Sequence, residues 1–260
     1  FGGDAILSDM TLYGMGSLAF AGLYVSIGHI GTGYIYADWI PQITYTSPNI
    51  AGFQLSLGAF QPLNNAAFSG SAGTPSLTNH ETPMGQFKLS YEWKGPVGGK
   101  AWVTALVQDQ KDTKGGTVTI GGGDLGLKLS VVGFDLLGYA YIASGVGTTG
   151  IGFDGIALTP KGLEGRGSWG YFTQLTYKYW KIKPGISYGE SRLNLADDEA
   201  ASDLVRRNRS LVGGLYFGLT DNLTLTAEYV RTWSANHDSP SHPGGEIADN
   251  MWCLGGILFF

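Results

Sequence analysis

Two glycine motifs in the sequence have spacings known from catalytic and phosphate-binding sites. Gly185-Ile-Ser187-Tyr-Gly189 matches Gly-x-Ser-x-Gly, in which a sharp strand-to-helix turn exposes a nucleophilic serine. Gly121-Gly-Gly123-Asp-Leu-Gly126 matches Gly-x-Gly-x-x-Gly, in which a helix amino terminus holds a phosphate. Both motifs instead lie in stretches of alternating polarity, which is typical of β-strands. We therefore predict neither catalysis nor nucleotide binding at these motifs.

A polar stretch near the carboxyl terminus holds four side chains that could ligate a metal. They are His237, Asp238, His242 and Glu246. Two prolines interrupt this stretch, and no periodicity directs the four side chains toward one point. We predict a solvated loop here, and the sequence indicates no metal site and no cofactor.

Charged residues recur at every second position of segments that are otherwise apolar. Within Gln86–Trp93, Lys88 and Glu92 alternate with apolar side chains. Successive side chains of a strand point to opposite faces, and a dry core does not accept unpaired charges, so the charged face must meet water. The same argument applies to Asp124, Lys128, Lys178, Lys183 and Glu228. We predict that these residues line a water-filled space.

The composition excludes several classes of protein. Of the 260 residues, 43% are apolar and 14% are charged, against about 25% charged in soluble domains. So much apolar and aromatic surface excludes a disordered chain, and the single cysteine excludes a disulfide framework. A net charge of -5 without a long basic cluster argues against nucleic-acid binding. The longest apolar run, Ser17–Ile30, is shorter than the roughly 20 residues of a membrane-spanning helix.

Alternating segments can also cross a bilayer as a closed β-barrel, and the sequence favours that class. About eleven alternating strands follow Trp39, and Tyr and Trp concentrate at the ends of their apolar stripes, as in an aromatic girdle. Two of these strands, Ala101–Gln108 and Phe134–Ser144, have inner and outer faces that the sequence leaves ambiguous. Long polar connections, of which Lys111–Gly121 is predicted to be one, alternate with short ones, the arrangement of bacterial outer-membrane barrels. A soluble β-sandwich also alternates, but its exposed face carries more charge than this chain provides.

The strand count leaves two alternatives for the beginning of the chain. Bacterial barrels of one chain have an even number of strands, and the final strand ends on the periplasmic side. Either Ser17–Gly28 is a twelfth strand and the barrel is complete, or the chain begins in an outer loop and earlier strands are absent. Because Ser17–Gly28 alternates poorly, we favour the second alternative, in which the chain is a mature or truncated product without a secretory signal.

Three stretches carry a resemblance to a known family: Phe1–Asp4 with Ser8-Asp9, then Gly28–Pro48 with Ile50–Leu63, and finally Leu219–Trp233 with the terminal aromatic strand. They resemble the third loop, the hairpin after it and the final hairpin of the general (trimeric) porins of Gram-negative bacteria. The resemblance implies an integral outer-membrane barrel of sixteen strands with its last eleven in this chain. It assigns residues 1–33 to the loop that narrows the pore and residues 34–260 to the strands and loops of the same single domain.

The resemblance also implies roles for particular residues. Asp4, Ser8 and Asp9 are expected at the pore constriction, and Trp252, Leu254, Leu258 and Phe260 are expected to form a C-terminal assembly signal. The expected partners are outer-membrane lipid, lipopolysaccharide and two further copies of the chain in a homotrimer.

The predicted function is a passive diffusion channel for ions and small hydrophilic solutes, with no enzymatic activity. The acid excess favours weak cation preference or none. The alternative is a twelve-stranded outer-membrane lipase or protease, which needs a serine or aspartate beside a histidine. The sequence supports no serine partner for any of the four histidines, His29, His80, His237 and His242. The roles of Arg206, Arg207 and Arg209 stay open between lipid phosphates, the pore vestibule and solvent.

Overall fold

The computed structural model describes residues 1–11, 28–68, 73–199, 204–239 and 243–260, and the backbone of 18–20 and 23–25. These residues form one short helix, α1 (Gly3–Ser8), and fifteen strands. In chain order the strands are β1 (Leu18–Phe20), β2 (Leu23–Val25), β3 (Gln42–Thr46), β4 (Phe53–Phe60), β5 (Met84–Trp93), β6 (Gly98–Lys111), β7 (Thr117–Val131), β8 (Phe134–Ser144), β9 (Ile156–Thr159), β10 (Gly162–Gly165), β11 (Gly167–Tyr177), β12 (Ile182–Leu193), β13 (Val205–Gly218), β14 (Leu223–Asn236) and β15 (Glu246–Leu258). Among the described residues, no helix has both the length and the apolar character that crossing a bilayer requires.

Eleven strands form one antiparallel sheet in the order β3-β4-β5-β6-β7-β8-β11-β12-β13-β14-β15. This agrees with the strand count predicted from the sequence. β1 pairs only with β2, and β9 pairs with β10 inside the connection between β8 and β11. Of the two alternatives for the start of the chain, the twelfth strand at Ser17–Gly28 is wrong for the described residues, since 18–20 and 23–25 pair with each other and not with this sheet.

One end of the sheet is joined by short turns and the other mostly by long connections, and we call these ends the turn end and the loop end. The predicted long connection Lys111–Gly121 is wrong, because β6 continues to Lys111 and β7 begins at Thr117. Asp112 closes the resulting turn by accepting hydrogen bonds from the backbone N–H groups of Lys114 and Gly116 at 2.8 and 2.7 Å. Gly121–Gly123 have loop-like composition but pair with both β6 and β8, which makes them strand residues.

The two faces of the sheet differ in character. The outer face exposes large apolar side chains, among them Leu125, Leu175, Ile186 and Leu225, which are 42–59% exposed. The inner face carries the alternate residues, which are polar near the turn end and mostly buried toward the loop end. This opposition is the alternation that the sequence predicts for a sheet between an apolar and a watery environment.

The core lies on the inner face, where the segment formed by residues 1–11 and 28–36 (the inward segment) packs against the sheet. Its buried side chains Phe1, Ala5, Tyr34 and Ile35 belong to one cluster with residues of four strands. The strand residues are Met84 on β5, Trp102 and Leu106 on β6, Leu137, Tyr139, Tyr141 and Ala143 on β8, and Phe172 on β11, and the connection after β8 adds Val146 and Ile151. The faces of β6 and β8 are ambiguous in the sequence because this docking makes both of their faces apolar.

The sheet curves around the inward segment. Asp4 contacts β5 and Met10 contacts β11, four strand spacings away. In a flat sheet these strands lie roughly 19 Å apart, whereas residues 4–10, which leave the helix after Ser8, advance at most about 13 Å. This shorter span favours a concave inner face.

Candidate functional site

The first anchor of the inward segment is Asp4, in the first turn of α1. Its carboxylate accepts a hydrogen bond from Lys100 Nζ at 2.5 Å and forms a second ion pair with Lys88. Burial raises the pKa of Asp4, but the hydrogen bonds and charges of Lys100 and Lys88 outweigh burial and hold the pKa below its ordinary value of 3.8. The Asp4 side chain is 12% exposed and the two lysines are about one-third exposed, so this ion-pair cluster borders the water-facing part of the inner face.

The second anchor is Asp9, directly after α1, and it lies inside the inward segment. Its carboxylate accepts hydrogen bonds from Tyr34 Oη at 2.6 Å, from the backbone N–H of His29 at 3.1 Å and from the backbone N–H of Thr11 at 2.9 Å. The side chain is only 3% exposed. Burial raises the pKa of Asp9, but hydrogen bonds from His29, Thr11 and Tyr34 together lower it by more than burial raises it. The pKa of Asp9 therefore lies below its ordinary value of 3.8. Asp9 thus fixes residues 9–11 to residues 29–34.

A third contact joins this network to β12. His29 is fully buried, with Nδ1 at 3.2 Å from Asp9 Oδ2 and Nε2 at 3.5 Å from Ser187 Oγ. The structure therefore supplies a serine partner that sequence reasoning missed, and the order Asp9–His29–Ser187 is that of a catalytic triad. The array is sealed, because Ser187 is 2% exposed and the His29 ring packs on Phe172 with centroids 4.7 Å apart. No substrate carbonyl can approach the serine in this arrangement.

The Gly-x-Ser-x-Gly motif has a structural role in this contact. A Cβ on Gly189 would lie 2.1 Å from the carbonyl oxygen of Thr32, and a Cβ on Gly185 would lie 2.2 Å from Met10 Sδ. The two glycines allow the inward segment to approach β12, and Ser187 between them faces His29. The motif is thus a docking strip within a strand, in agreement with the strand predicted for Ser187.

Two further strands hold the backbone of the inward segment. On β7, Asp124 accepts a hydrogen bond from the Gly2 N–H at 2.7 Å. On β11, Gln174 accepts one from the Met10 N–H at 2.6 Å and donates one to the carbonyl oxygen of Ser8 at 2.9 Å. Ser8 therefore takes part through its backbone.

The structure separates the predicted pore-lining residues into two groups. Asp124 and Glu228 are 3% and 0% exposed, and Glu228 accepts a hydrogen bond from Tyr216 Oη at 2.7 Å. The other predicted residues lie toward the turn end and have water access: Lys88, Glu92, Lys128, Lys178 and Lys183. Lys100, which sequence reasoning missed, pairs in register with both Glu92 and Lys128. Its position before the ambiguous strand Ala101–Gln108 concealed the face on which it lies.

A cavity of about 350 Å³ lies between the inward segment and β3 to β6. Its lining includes the charged pair Asp4 and Lys88, the polar Gln42, and the apolar Leu7, Trp39 and Phe60. The site therefore combines fixed charges with an open, partly apolar space on the inner face.

The remaining predicted residues lie elsewhere. Trp252, Leu254 and Leu258 alternate on the outer face of β15, where they are 61–81% exposed, and Phe260 follows that strand. Arg206, Arg207 and Arg209 lie at the loop end of β13. Within the described part of the chain, no three His, Cys, Asp or Glu side chains are grouped to hold a metal, and His242 lies outside that part.

No protein-family model matches this sequence, and no curated protein does. Solved structures match it by fold. The outer membrane channel DcaP of Acinetobacter baumannii superposes with a TM-score of 0.71 and 18% identity, covering 88% of this chain and 64% of that one. An anion-selective porin from Comamonas acidovorans gives a TM-score of 0.50 and 14% identity, over 83% and 55%. The chain spans just under two-thirds of the first structure and about half of the second, and the eleven-stranded sheet has the fold of outer-membrane porin barrels.

Proposed function

We propose that this protein is a porin of the Gram-negative outer membrane, in which it forms a water-filled channel for passive diffusion of ions and small hydrophilic solutes. The observation that carries the proposal is the inward segment, which is fixed by charged and polar contacts on the concave face of a porin-type sheet. Water and solutes pass along the inner face, and the inward segment narrows their path. A homotrimer embedded in outer-membrane lipid and lipopolysaccharide is part of the same proposal.

The outer face supports an integral membrane location. Contiguous apolar area of this extent is unusual on soluble proteins and marks contact with lipid or another protein. Large aromatic side chains extend it toward the turn end, where the rings of Phe134 and Tyr177 pack in a tilted arrangement with centroids 4.3 Å apart. Such rings favour the interface between lipid and water.

Within the predicted constriction, Asp4, Ser8 and Asp9 have different roles. Asp4 provides the charge that borders the open space, whereas Asp9 and Ser8 hold the inward segment in place. Asp4 is paired with two lysines, which offset its charge. The other acids expected to attract cations, Asp9, Asp124 and Glu228, are buried. These four acids therefore contribute little to the electric field in the channel. Of the two outcomes expected from the overall acid excess, weak cation preference or none, this arrangement favours a nearly unselective channel.

Planar-bilayer recording tests the channel. The purified protein in phosphatidylcholine bilayers is expected to give discrete conductance steps, and heat-unfolded protein is the control. Absence of steps from correctly folded protein contradicts the proposal.

Covalent labelling tests the enzyme alternative, with Ser187→Ala as the matched control. Because Ser187 is sealed, we expect no labelling by a serine-directed fluorophosphonate and no lipid or peptide hydrolysis. Hydrolysis that depends on both Ser187 and His29 would establish the enzyme instead.

A further inference from the structure

The cavity of about 350 Å³ on the inner face has a floor of four strands, β3 to β6, and a rim made by α1 and residues 37–39. We call it the edge cavity, because β3 is an edge strand of the sheet. Strand register arranges its floor in rows that lie roughly 6–7 Å apart along the strands. One row contains Ser56, Lys88 and Thr104, and the next contains Thr44, Gly58 and Gln86.

A glycine gives the floor an aromatic surface. A Cβ on Gly58 would lie 2.5 Å from a ring carbon of Phe60 and 2.6 Å from Thr44 Oγ1. Because Gly58 has no side chain, the Phe60 ring can cover the strand backbone at this position. The floor therefore combines an aromatic ring with the polar residues of the two rows.

The rim exposes two large apolar side chains on the side of the sheet that faces water. Leu7 is 83% exposed and Trp39 is 87% exposed, and both line the edge cavity. Asp38 fixes the backbone at Trp39, since its φ of 58° lies in the left-handed region that aspartate tolerates and its carboxylate accepts the Trp39 N–H at 2.7 Å. The indole ring is thus held in place from its backbone and offers apolar area that a ligand can cover.

Two polar side chains in the cavity have hydrogen-bonding capacity that the protein does not fully use. Thr104 is 3% exposed, and its Oγ1 has no hydrogen-bond partner among the described residues. Buried hydroxyl groups nearly always have a partner, so this one indicates a partner outside the chain. The Gln86 amide nitrogen donates to Met84 Sδ at 3.8 Å, and because sulfur is a weak acceptor, a ligand oxygen would bind this donor better.

The charges at the edge cavity balance. Asp4 pairs with Lys88 and Lys100, and Asp38 at the rim is exposed. Two carboxylates therefore stand against two ammonium groups among the described residues here. A charged ligand gains little from such a set, whereas hydroxyl groups can donate to the carboxylates and accept from the amide and ammonium groups. The cavity favours a neutral ligand that is rich in hydroxyl groups.

We propose that the edge cavity binds a neutral saccharide, with the C–H face of a pyranose ring on Trp39 and the hydroxyl groups toward Thr104, Gln86 and Asp4. This inference rests on the proposed channel, because it names a class of solute that the channel holds in transit. A pyranose has an apolar C–H face, which packs on an aromatic ring by dispersion and by burial of apolar area. The volume lies in the lower part of the range of ligand pockets, about 300–1,000 Å³, and suits a small saccharide.

Saturation-transfer NMR with methyl β-D-glucopyranoside tests the site. The protein is kept in a deuterated phosphocholine detergent, which contains no sugar. Irradiation of aromatic protons of the protein should saturate the ring C–H protons of the probe more strongly than its methoxyl protons, and titration gives the Kd. Sorbitol has hydroxyl groups but no ring face, so it should bind at least about tenfold more weakly. Equal affinity for sorbitol overturns the proposal.

Substitution of Trp39 tests the stacking contact. Trp39→Ala should weaken binding of the probe about tenfold, and Trp39→Phe, which keeps an aromatic face, about two- to threefold. Trp180→Ala is the matched control, because Trp180 is 73% exposed but lies at the turn between β11 and β12 and does not line the edge cavity. Equal affinities in Trp39→Ala and Trp180→Ala contradict the saccharide site.

Substitution of Thr104 separates ligand binding from folding. Thr104→Val keeps the shape of the side chain and removes a hydroxyl group that has no partner in the described structure. The free energy of unfolding in urea should therefore not fall, while affinity for the probe should fall about three- to tenfold. Unchanged affinity in this variant counts against the proposal.

A charged analogue tests the neutrality of the ligand. Methyl β-D-glucopyranosiduronate has the same ring with a carboxylate, and it should bind no more tightly than the neutral probe. Binding that is tighter by about tenfold or more would assign the cavity to organic acids and refute the neutral saccharide.

Conductance separates this inference from the channel itself. Channels that conduct in planar bilayers but bind no saccharide refute the saccharide site alone. Folded protein that binds the probe through Trp39 but gives no conductance steps refutes the channel alone.

Discussion

Two levels of the same inner face follow opposite rules. Toward the turn end, the inner residues of neighbouring strands include Lys100, Lys128 and Asp135, all of them partly accessible to water. Farther toward the loop end on the same strands, the inner residues include Trp102 and Tyr139, which are 5% and 3% exposed. Strand geometry is the same at both levels. The difference is that the inward segment replaces water at the second level, so the residues that are stable there are those of a protein core.

The test with the largest expected change in stability removes an aromatic side chain on which the inward segment packs. Phe172 is 1% exposed and contacts the rings of both His29 and Tyr34. Phe172→Ala should lower the free energy of unfolding by about 3–5 kcal/mol, because burial is lost and a cavity remains. Urea unfolding in detergent measures the change. Lys128→Ala, at the water-accessible level, should change it by at most about 0.5 kcal/mol. Similar losses for both variants would show that the two levels do not differ as described.

A second test displaces the inward segment sterically instead of removing a side chain on which it packs. Gly189→Ala places a Cβ against the Thr32 carbonyl, and overpacking of this kind costs about 1–3 kcal/mol. We expect faster proteolysis within residues 1–36 and a larger single-channel conductance. Gly213→Ala is the control, since nothing lies within 4 Å of the Cβ that it adds. Equal protease resistance in the two variants would contradict the docking role of the Gly-x-Ser-x-Gly motif.

The third test concerns Asp4, which lies at the boundary between the two levels. Its substitution should change stability least of the three, but it should change the ion selectivity of the channel. Asp4→Asn frees the charges of Lys88 and Lys100, and reversal potentials across a salt gradient should shift toward anions. Stability should fall by no more than about 1 kcal/mol, as for a partly exposed ion pair. Glu92→Gln removes the same charge without breaking these pairs and should give a smaller shift. A shift toward cations in Asp4→Asn would contradict the charge assignment.

Acidification should reproduce the Asp4→Asn effect in the unmodified protein. Because the lysines lower the pKa of Asp4, its stabilising contribution is present above the ordinary pKa of 3.8 and is lost as pH falls through the lower native pKa. Ion selectivity should therefore stay constant as pH falls to about 4 and change toward anions below it. Reversal potentials in Asp4→Asn should show a smaller acid transition than in the unmodified protein, and a transition of equal size would assign it to another carboxylate.

The fold could be predicted to a large extent from the sequence, because strand period and membrane or water exposure act locally. The eleven strands and the inner position of Lys88 follow from alternation alone. The turn at 112–116 could not be found in this way, since glycine- and threonine-rich residues gain strand structure only from backbone partners on both sides. The faces of β6 and β8 were likewise hidden, because docking of a remote segment makes both faces apolar.

The candidate site was less predictable than the fold. Asp4, Ser8 and Asp9 were identified through family resemblance, but their separate roles depend on partners 20 to 166 positions away in the sequence. His29 and Ser187 are 158 positions apart, and no local pattern relates them. The Gly-x-Ser-x-Gly spacing around Ser187 could be recognised in the sequence, but its structural role could not be predicted. The same spacing occurs in a strand that contacts a packed segment and in a nucleophile elbow.

By itself, the sequence determined that this chain forms an antiparallel sheet with one apolar and one polar face, because alternation is written into neighbouring residues. Only the tertiary structure decided which acids meet water, since burial depends on where the inward segment lies. It placed Asp4 between two lysines at the edge of the open space and enclosed Asp9, Asp124 and Glu228. It also gathered polar residues of three strands on the floor of one cavity, because strand register brings residues distant in sequence into the same row.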